Sequence, residues 1–359
     1  MEAPSPRGPR LRELGLRIGL LEPGAANAIT DVPGVAVGHV TVWRDEPDPP
    51  SGRGVARTGV TAIVPGPGGA VLDPPLAAAI AVLNGAGELT GSLQISECGL
   101  VETPVYLTST MAVGRVYDGA VGAECKASPA IGVDRVVIPV VGECDDSWLN
   151  DARTVKVDAE DVARAISAAA PGPVAEGCIG AGAGMVALDW KAGIGTSSRL
   201  LPATGATLGV LVLANFGSAA DLRVGGVPLG DVLGSGVETP PPPPGGSCIA
   251  VVATDAPLGS HNLARVARRC GLGLARMGSV AHHGSGEIFL AISTAPQRIH
   301  VGNEALNEIF AATVDATEEA VLNALWAAVD TVGREGRVVQ ALPHDAVLEQ
   351  LEQHGRVTR

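Results

Sequence analysis

The sequence predicts an α/β fold, and three observations support it. Between residues 27–42 and 341–345, short runs rich in β-formers alternate with Ala-rich stretches typical of helices, which is the pattern of a layered α/β protein. Hydrophobic residues make up 46% of the 359 residues, enough for a large core. Only 3% are aromatic whereas 48 are glycine, so we expect closely packed elements around Ala, Val, Leu and Ile.

Three runs are apolar almost throughout, at 207–215, 247–254 and 287–294. Such runs are typical of strands buried on both faces, so we expect a sheet covered on each side by another layer. Residues 43–57, rich in Pro, Gly and charge, indicate a polar loop.

Two stretches indicate helices by their boundary residues. "DPPLAAAIAVLNG" (73–85) has Pro near its first turn and Gly after its end. Residues 317–333 begin at Thr317, which is suited to an N-cap, continue with two acids and stop at Gly333, so we expect an amphipathic helix.

A third stretch, 260–278, indicates a helix by its periodicity. Apolar residues recur there at helical spacing and leave three arginines for the opposite face. These arginines predict a solvated basic face or, alternatively, an anion site; they are Arg265, Arg268 and Arg269.

Composition argues against several partners. The chain has 25 Lys and Arg against 38 Asp and Glu, and a net charge of −13 opposes binding to nucleic acid or to anionic membranes.

The six cysteines lie far apart, without CxxC or metal-ligand spacing, and are expected to be reduced and mostly buried. The N-terminus lacks the apolar core of a secretory signal, and no uninterrupted apolar run reaches about 18 residues. We expect a cytoplasmic protein.

Residues 234–246 end in five prolines and two glycines, directly before the apolar run that starts at Ser247. A polyproline run is extended and cannot join a sheet, so this segment is expected to be an exposed linker. The Ser247 hydroxyl at its end can attack the carbonyl carbon of Gly246, and hydrolysis of the resulting ester leaves a free serine amine. The simpler alternative is a linker followed by an ordinary strand-opening serine.

A new amine at Ser247 would have a reference pKa near 8, so part of it is neutral at cellular pH and can act as a base for the adjacent hydroxyl. Nucleophile and base would then come from one residue. Cys248 is a rival nucleophile, but the next residue on a strand points to the other face.

Acyl transfer also needs donors for an oxyanion and a group that relays protons. Asn215 ends the first apolar run, where its amide can donate to an oxyanion or simply shape a turn. Ser285 and Glu287 are two residues apart at a strand start, so they face one side and can orient the Ser247 amine and hydroxyl. The alternative is a strand-capping serine with an exposed acid.

Two further signals carry less weight. His282 and His283 suggest a Ser-His arrangement, but no GxSxG elbow surrounds Ser247. The Gly-rich stretch 177–185 satisfies neither GxGxxG nor GxxxxGK[ST], so a close backbone crossing or a glycine-lined pocket floor fits better than a phosphate loop. We expect no cofactor and no metal.

A series of stretches that covers residues 27–345 resembles the β-peptidyl aminopeptidase family, also called L-aminopeptidase/D-esterase, whose members mature by self-cleavage. The stretches, in chain order, are "NAITDVPGVAVGH", "RTGVTAIVP", "NGAGELTG", "PVVGECDDSWLND", "GPVAEGCIGAGAGM", "KAGIGTSSR", "ANFGSAADLRVGGVPLG", "SCIAVVATDAPL", "RVARRCGLGLARMGS" and "GSGEIFLAIST".

The resemblance implies a four-layer α/β/β/α sandwich formed jointly by two fragments, 1–246 and 247–359, after a cut between Gly246 and Ser247. One hydrolase domain would span 27–345. Outside it we expect a loose N-terminal tail and a C-terminal tail, at 1–26 and 346–359.

The resemblance also implies roles. Ser247 falls at the nucleophile position and Asn215 at the oxyanion-hole amide, while Ser285 and Glu287 fall at the supporting hydroxyl and carboxylate. The chain departs from the family pattern in its five-proline run and in Cys248, which stands where an aliphatic residue is expected.

We therefore expect a self-processing serine aminopeptidase that releases N-terminal residues from small peptides, amino-acid amides or esters through an acyl-enzyme on Ser247. Glu287 is a candidate partner for the substrate ammonium, and the family likeness implies a homo-oligomer of four cleaved protomers. Two alternatives stay open. One is an acyltransferase that uses the same nucleophile, and the other is an uncleaved protein that binds a small ligand at 180–184.

Overall fold

Two β-sheets frame the structure, a computed structural model that describes residues 8–66, 69, 72–237, 246–297 and 301–358. The expected α/β class is confirmed. The strands are β1 (Ala36–Arg44), β2 (Ala56–Val64), β3 (Leu76–Gly85), β4 (Leu100–Val101), β5 (Val105–Ser109), β6 (Val140–Cys144), β7 (Val186–Ala187), β8 (Trp190–Lys191), β9 (Ile194–Leu201), β10 (Ala206–Asn215), β11 (Arg223–Val224), β12 (Val227–Pro228), β13 (Gly246–Thr254), β14 (Ser285–Ser293), β15 (Thr331–Val332) and β16 (Val338–Val339).

Helices connect and cover these strands. They are α1 (Ser92–Cys98), α2 (Val113–Ala127), α3 (Ala159–Ser167), α4 (Gly230–Leu233), α5 (Ser260–Ala267), α6 (Cys270–Arg276), α7 (Asn303–Trp326) and α8 (His344–Gln353).

The two main sheets differ in size. The smaller has the strand order β1-β2-β5-β6 and the larger has the order β4-β3-β14-β13-β10-β9. Each contains one parallel pair, β5 with β6 and β13 with β14, and its other pairs are antiparallel. The parallel pairing of β13 with β14 sets the ends of these two strands side by side.

Three hydrophobic clusters join sheets and helices. One contains residues of both sheets, among them Leu107 of β5 and Ile249 of β13. A second joins the smaller sheet to α2 and α3 and includes Val60 and Val116. The third is the largest and joins the larger sheet to α5, α6, α7 and α8. Burial of these apolar surfaces is the main force that holds the layers in place.

The three apolar runs form β10, β13 and β14, and they are buried on both faces as expected. Along β13, Ile249 and Val251 belong to the cluster shared by the two sheets, whereas Ala250 and Val252 belong to the cluster shared with the helices. The period of two in a strand therefore divides one apolar run between two cores.

The predicted helix at 73–85 is wrong, because Leu76–Gly85 is strand β3. A short apolar run does not distinguish a buried strand from a buried helix by periodicity. Here the pairing of β3 with β14 decides the outcome, since it satisfies the backbone groups of the Ala-rich run.

The stretch 260–278 is helical but forms two helices, α5 and α6, instead of one. Its apolar positions are buried as expected. The basic face is partly covered, since the guanidinium groups of Arg265 and Arg269 lie over the Phe310 ring, 4.9 and 3.8 Å from its centroid. These two arginines therefore make cation–π contacts.

The helix expected at 317–333 is helical only over 317–326, as the last part of a longer helix, α7. The expected stop at Gly333 is wrong, because α7 ends at Trp326 and Thr331–Val332 form strand β15. Thr317 is not the N-cap of α7; it lies inside the helix, where its hydroxyl donates to the carbonyl of Thr313 at 2.7 Å. Residues 312–326 are buried all round, so the amphipathic pattern predicted for this segment is wrong. No helix among the described residues is both long enough and apolar enough to cross a membrane.

The expected loose N-terminal tail is wrong for residues 8–26. Leu11 and Leu16 are each 1% exposed and belong to the largest cluster. The Arg12 guanidinium donates from two nitrogens to the Glu319 carboxylate, both at 2.7 Å. The segment is therefore held by apolar burial and by a bidentate ion pair.

The C-terminal tail expected at 346–359 is also partly packed against the core. Helix α8 spans its first part, and Val347 and Leu351 are fully buried. In the expected linker, Gly234 is exposed but Val237 is buried beside Val339, and residues 238–245 lie outside the described part of the chain.

The Gly-rich stretch 177–185 makes a close backbone crossing, as expected. Gly180–Gly184 form a buried 3-10 helix. A Cβ atom at Gly182 would lie 2.5 Å from the backbone nitrogen of Ile194, and one at Gly184 would lie 2.3 Å from the carbonyl oxygen of Arg57. These contacts explain the glycines without a nucleotide.

One buried carboxyl group stands out on helix α2. Glu124 is fully buried, and neither of its carboxyl oxygens has a hydrogen-bond partner among the described residues. Burial, with a smaller effect from the charge of Glu102, raises the pKa of Glu124 from 4.5 to about 8. The folded protein therefore keeps a proton there that the unfolded chain releases.

Replacement of Glu124 by Gln is expected to make stability less dependent on pH. In the wild type the folded state binds more protons than the unfolded state between pH 4.5 and about 8, so the free energy of unfolding falls as pH rises through that window. From pH 6 to pH 8 this fall is about 2 kcal/mol, and Glu124→Gln removes it. Urea unfolding at the two pH values measures the difference.

Glu97→Gln, on the exposed side of α1, is the matched control and should keep the wild-type slope. A Glu124→Gln protein that loses stability with pH as steeply as the wild type would contradict the assignment.

Candidate active site

The predicted site residues come together at one end of the larger sheet. In the antiparallel pair of β10 and β13, Ser247 stands opposite Asn215. In the parallel pair of β13 and β14, Ser285 stands opposite Gly246, and Glu287 stands opposite Cys248. Strand pairing alone therefore unites residues that are up to 72 positions apart, from Asn215 to Glu287.

Ser247 is the first residue of the buried part of β13 and is only 4% exposed. Alternation along the strand places its side chain on the same face as Ile249, toward the cluster that contains residues of both sheets. Cys144 belongs to the same cluster, and burial raises the pKa of its thiol well above its usual value. The serine hydroxyl thus lies between the sheets.

Cys248 points to the opposite face, as expected. It is fully buried in the cluster shared with the helices, and burial raises the pKa of its thiol well above the usual value. The thiolate is the reactive form of cysteine, so a buried neutral thiol is a poor rival to the serine.

The Asn215 side chain is fixed from both ends. Its oxygen Oδ1 accepts a hydrogen bond from the Val186 backbone nitrogen, and its Nδ2 donates to the Asp145 carbonyl oxygen, each at 2.9 Å. An amide nitrogen has two hydrogens, so one N–H is left to donate toward the end of the sheet. Asn215 is therefore an anchored hydrogen-bond donor beside Ser247.

Ser285 and Glu287 face the same side of β14, as expected, and the Ser285 hydroxyl donates to Oε1 of Glu287. Glu287 is fully buried, its Oε2 has no partner among the described residues, and burial raises its pKa. Ile288 belongs to the cluster between the sheets, which is on the same face as the Ser247 hydroxyl. Side chains alternate along a strand, so those of Ser285 and Glu287 lie on the opposite face.

Gly246 has a conformation that suits glycine. Its φ of +133° lies in a region that other residues rarely adopt. A Cβ atom there would lie 2.2 Å from the carbonyl oxygen of Asn215. Any side chain at this position would therefore displace β13 from β10.

Ser247, Asn215 and Gly246 line a cavity of about 1040 Å³. This volume is at the upper end of the usual range for small-molecule sites. His282 also lines the cavity, whereas Glu287 and the Gly180–Gly184 helix do not. Four acids and two arginines complete its charged lining: Glu88, Glu143, Asp145, Asp189, Arg334 and Arg337.

Glu143, at the end of β6, is the most firmly held of these acids. One carboxylate oxygen accepts from the Glu88 backbone nitrogen at 2.9 Å, and the other accepts from the Thr110 hydroxyl. Burial raises the pKa of Glu143 above its usual value. Asp145, in contrast, is exposed and bonds to the nearby Ser147.

Glu143 was not predicted from the sequence, although the run "ECDD" after an apolar stretch places it at a strand end. Arg334 and Arg337 were not predicted either, since nothing in their local sequence connects them with Ser247. Within the described part of the chain, no cluster of three or more His, Cys, Asp or Glu side chains is arranged to hold a metal.

Comparison with known proteins identifies the family, because the model of peptidase family S58 matches residues 27–339. The chain belongs to peptidase family S58. The resemblance found in the sequence is thereby confirmed.

Relatives of this S58 peptidase are similar over nearly their whole length. Beta-peptidyl aminopeptidase BapA of Sphingosinicella microcystinivorans is 41% identical, with 99% of this chain and 95% of the relative covered. The solved beta-aminopeptidase of a Burkholderia species is 42% identical, with a TM-score of 0.87 and coverage of 96% and 99%.

A second solved relative is the L-aminopeptidase D-Ala-esterase/amidase of Ochrobactrum anthropi, described as a prototype for the serine aminopeptidases and as a variant of the Ntn hydrolase fold. It is 37% identical, with a TM-score of 0.90 and coverage of 98% and 100%. The S58 chain is thus a hydrolase of the aminopeptidase type. These similarities support the expected self-processing aminopeptidase and favour neither the acyltransferase nor the uncleaved ligand-binding protein.

Proposed function

We propose that this S58 peptidase cuts its own chain between Gly246 and Ser247, and that Ser247 then releases N-terminal residues from small peptides, amino-acid amides or esters. The observation that carries the proposal is the position of Ser247, which opens a buried strand, lines the cavity and pairs with the anchored Asn215. The names of the beta-peptidyl aminopeptidase and beta-aminopeptidase relatives support this substrate class.

Self-cleavage begins with attack of the Ser247 oxygen on the carbonyl carbon of Gly246. The C–N bond breaks, the nitrogen takes up a proton to become the Ser247 amine, and an ester joins the two residues. Water then hydrolyses the ester, which leaves a carboxylate on Gly246 and restores the hydroxyl. The glycine conformation at 246 supports this assignment, since it gives the hydroxyl access to a carbonyl without a neighbouring side chain.

We assign Ser285 and Glu287 to the Ser247 amine, not to its hydroxyl. Their side chains lie on the opposite face of the sheet from the hydroxyl, whereas a main-chain nitrogen lies in the plane of the sheet and is accessible from either face. The Glu287 carboxyl group is buried, and its Oε2 has no partner among the described residues, so it can accept a hydrogen bond from the ammonium that forms at Ser247.

In catalysis the Ser247 hydroxyl attacks the substrate carbonyl, and its own amine takes the proton and returns it to the leaving group. Asn215, with backbone donors, stabilises the oxyanion. Both ends of its amide are already fixed, so the remaining N–H needs little reorganisation in the transition state. The acyl-enzyme is then hydrolysed by water.

We assign the substrate ammonium to Glu143 instead of Glu287. Glu287 is fully buried and lies outside the cavity lining, whereas Glu143 lines the cavity and is oriented by two donors. A fixed carboxylate that binds the free N-terminus would restrict attack to the first residue of a peptide.

We also propose a specific architecture for the folded and cleaved protein. The three clusters support a four-layer α/β/β/α sandwich as a single domain over 27–345, built jointly by the two fragments. We keep the assembly of four cleaved protomers and the cytoplasmic location as proposals that follow from the family likeness and from the composition.

The mass of the purified protein tests self-cleavage. Mass spectrometry is expected to find two fragments, of which the smaller begins at Ser247. Ser247→Ala removes the attacking oxygen and should stay whole and inactive, while Ser167→Ala on the exposed side of α3 should be cleaved like the wild type. A fully active chain with an intact bond at Gly246 would refute the proposal.

Asn215→Ala should lower kcat on the order of 100-fold through the loss of one oxyanion donor, with a smaller change in KM. Steady-state hydrolysis of an aminoacyl p-nitroanilide by fully cleaved enzyme measures both constants. Asn262→Ala on α5, outside the cavity lining, is the control. Unchanged kcat in Asn215→Ala would remove this residue from the site.

Glu143→Gln should weaken binding of substrates that carry a free ammonium, by on the order of 10-fold in kcat/KM. The comparison is between an aminoacyl p-nitroanilide and its N-acetylated form, which carries no positive charge. The wild type should strongly prefer the free amine, and the variant should lose most of that preference. If the preference survives, another group binds the ammonium.

A further inference from the structure

The proposed function leaves a pair of cations in the cavity without a role. Arg334 begins the 3-10 turn Arg334–Gly336 and Arg337 follows it, and both line the cavity that contains Ser247. They share one carboxylate, since Arg334 donates to Oε1 of Glu335 and Arg337 donates to Oε2, each at 2.5 Å. The two arginines and Glu335 together carry a net charge of +1.

The arginine pair is held in place by its surroundings. The Arg337 guanidinium lies over the Trp148 ring, 4.2 Å from its centroid, and donates to the Trp148 carbonyl oxygen at 3.2 Å. The Arg334 backbone nitrogen donates to the Leu149 carbonyl oxygen at 2.8 Å. Trp148 also lines the cavity, so the turn is attached to the cavity wall and does not project into solvent.

The pair has unused donors. A guanidinium carries five N–H groups in a planar fork that matches a carboxylate. Arg334 uses Nη2 for Glu335, and its Nε is buried without a partner among the described residues. The Glu335 side chain is 48% exposed, so its ion pairs are weak and a second carboxylate can replace it at little cost.

The charge of the molecule makes this pair significant. The chain has a net charge of −13, and four acids line the cavity, so an anionic ligand is disfavoured unless cations receive it. In the proposed function, Glu143 takes the substrate ammonium and Ser247 its first carbonyl. The part of a dipeptide that remains is the leaving amino acid, which bears a carboxylate.

We propose that Arg334 and Arg337 bind the C-terminal carboxylate of a dipeptide, so that a free dipeptide is a better substrate than its amide. This inference rests on the proposed function and narrows its substrate class. The two arginines are specificity-determining residues, since they contact the leaving half of the substrate and not the reacting atoms.

The test compares two substrates that differ only in this charge. Both substrates are dipeptides whose first residue is the one that the enzyme hydrolyses best as a p-nitroanilide. Their second residue is glycine, which is a free acid in one dipeptide and an amide in the other. The wild type should prefer the acid by on the order of 10-fold in kcat/KM, and Arg334→Gln and Arg337→Gln should each remove most of that preference. Hydrolysis of the p-nitroanilide, which has no carboxylate, should change little.

Two further variants separate charge from packing. Arg337→Lys keeps the positive charge but loses the planar fork, and it should retain part of the preference for the acid. Arg17→Gln removes an exposed arginine outside the cavity and should behave like the wild type. The self-cleavage of each variant is measured by mass on the same samples.

Several outcomes would overturn the inference. The first is a wild type that hydrolyses the acid and the amide equally well. The second is a glutamine variant that keeps the wild-type ratio of kcat/KM between acid and amide. The third is a glutamine variant that loses activity equally on acid, amide and p-nitroanilide, as a purely structural role would predict. Variants that change only self-cleavage would show that the arginines serve the new carboxylate of Gly246 instead. A wild type that hydrolyses none of the three substrates would reject the proposed function itself, and this inference with it.

Discussion

The register of β13 between β10 and β14 is the constraint on which the rest of the structure depends. It sets Ser247 opposite Asn215 on one side and Ser285 opposite Gly246 on the other. A slip of one residue would turn Ser247 toward the helices and Cys248 toward the cavity. The register is fixed because both faces of β13 are buried, so any slip would move a whole set of apolar side chains into the wrong core.

Much of this arrangement could be predicted from the sequence. Polar residues at the ends of continuous apolar runs stand out, because a strand buried on both faces tolerates them only where it leaves the core. Ser247, Asn215, Ser285 and Glu287 all have this signature, and the ordered series of motifs then identified the family. Side-chain alternation along a strand also follows from sequence alone, and it explains why Cys248 could be rejected as the nucleophile.

Other parts could not be predicted because they depend on contacts between distant segments. The Ala-rich run of β3 has no pattern that separates strand from helix, and its partner β14 lies about 200 residues away. Likewise Glu143 and Arg337 reach the cavity only through the packing of β6 and of the turn at 334–336. The N-terminal segment looked like a tail because the buried carboxylate that holds Arg12 belongs to α7.

The order of strands also explains how a protein can cut its own chain and keep its structure. In the larger sheet, β13 and β14 come from residues after the proposed cut, and they lie between β3 and β10, which come from residues before it. Separation of the fragments would break two antiparallel ladders and both cores at once. A cut at Gly246 would therefore release only one strand end, and the new amine of Ser247 would form inside a framework that is packed on both faces of β13.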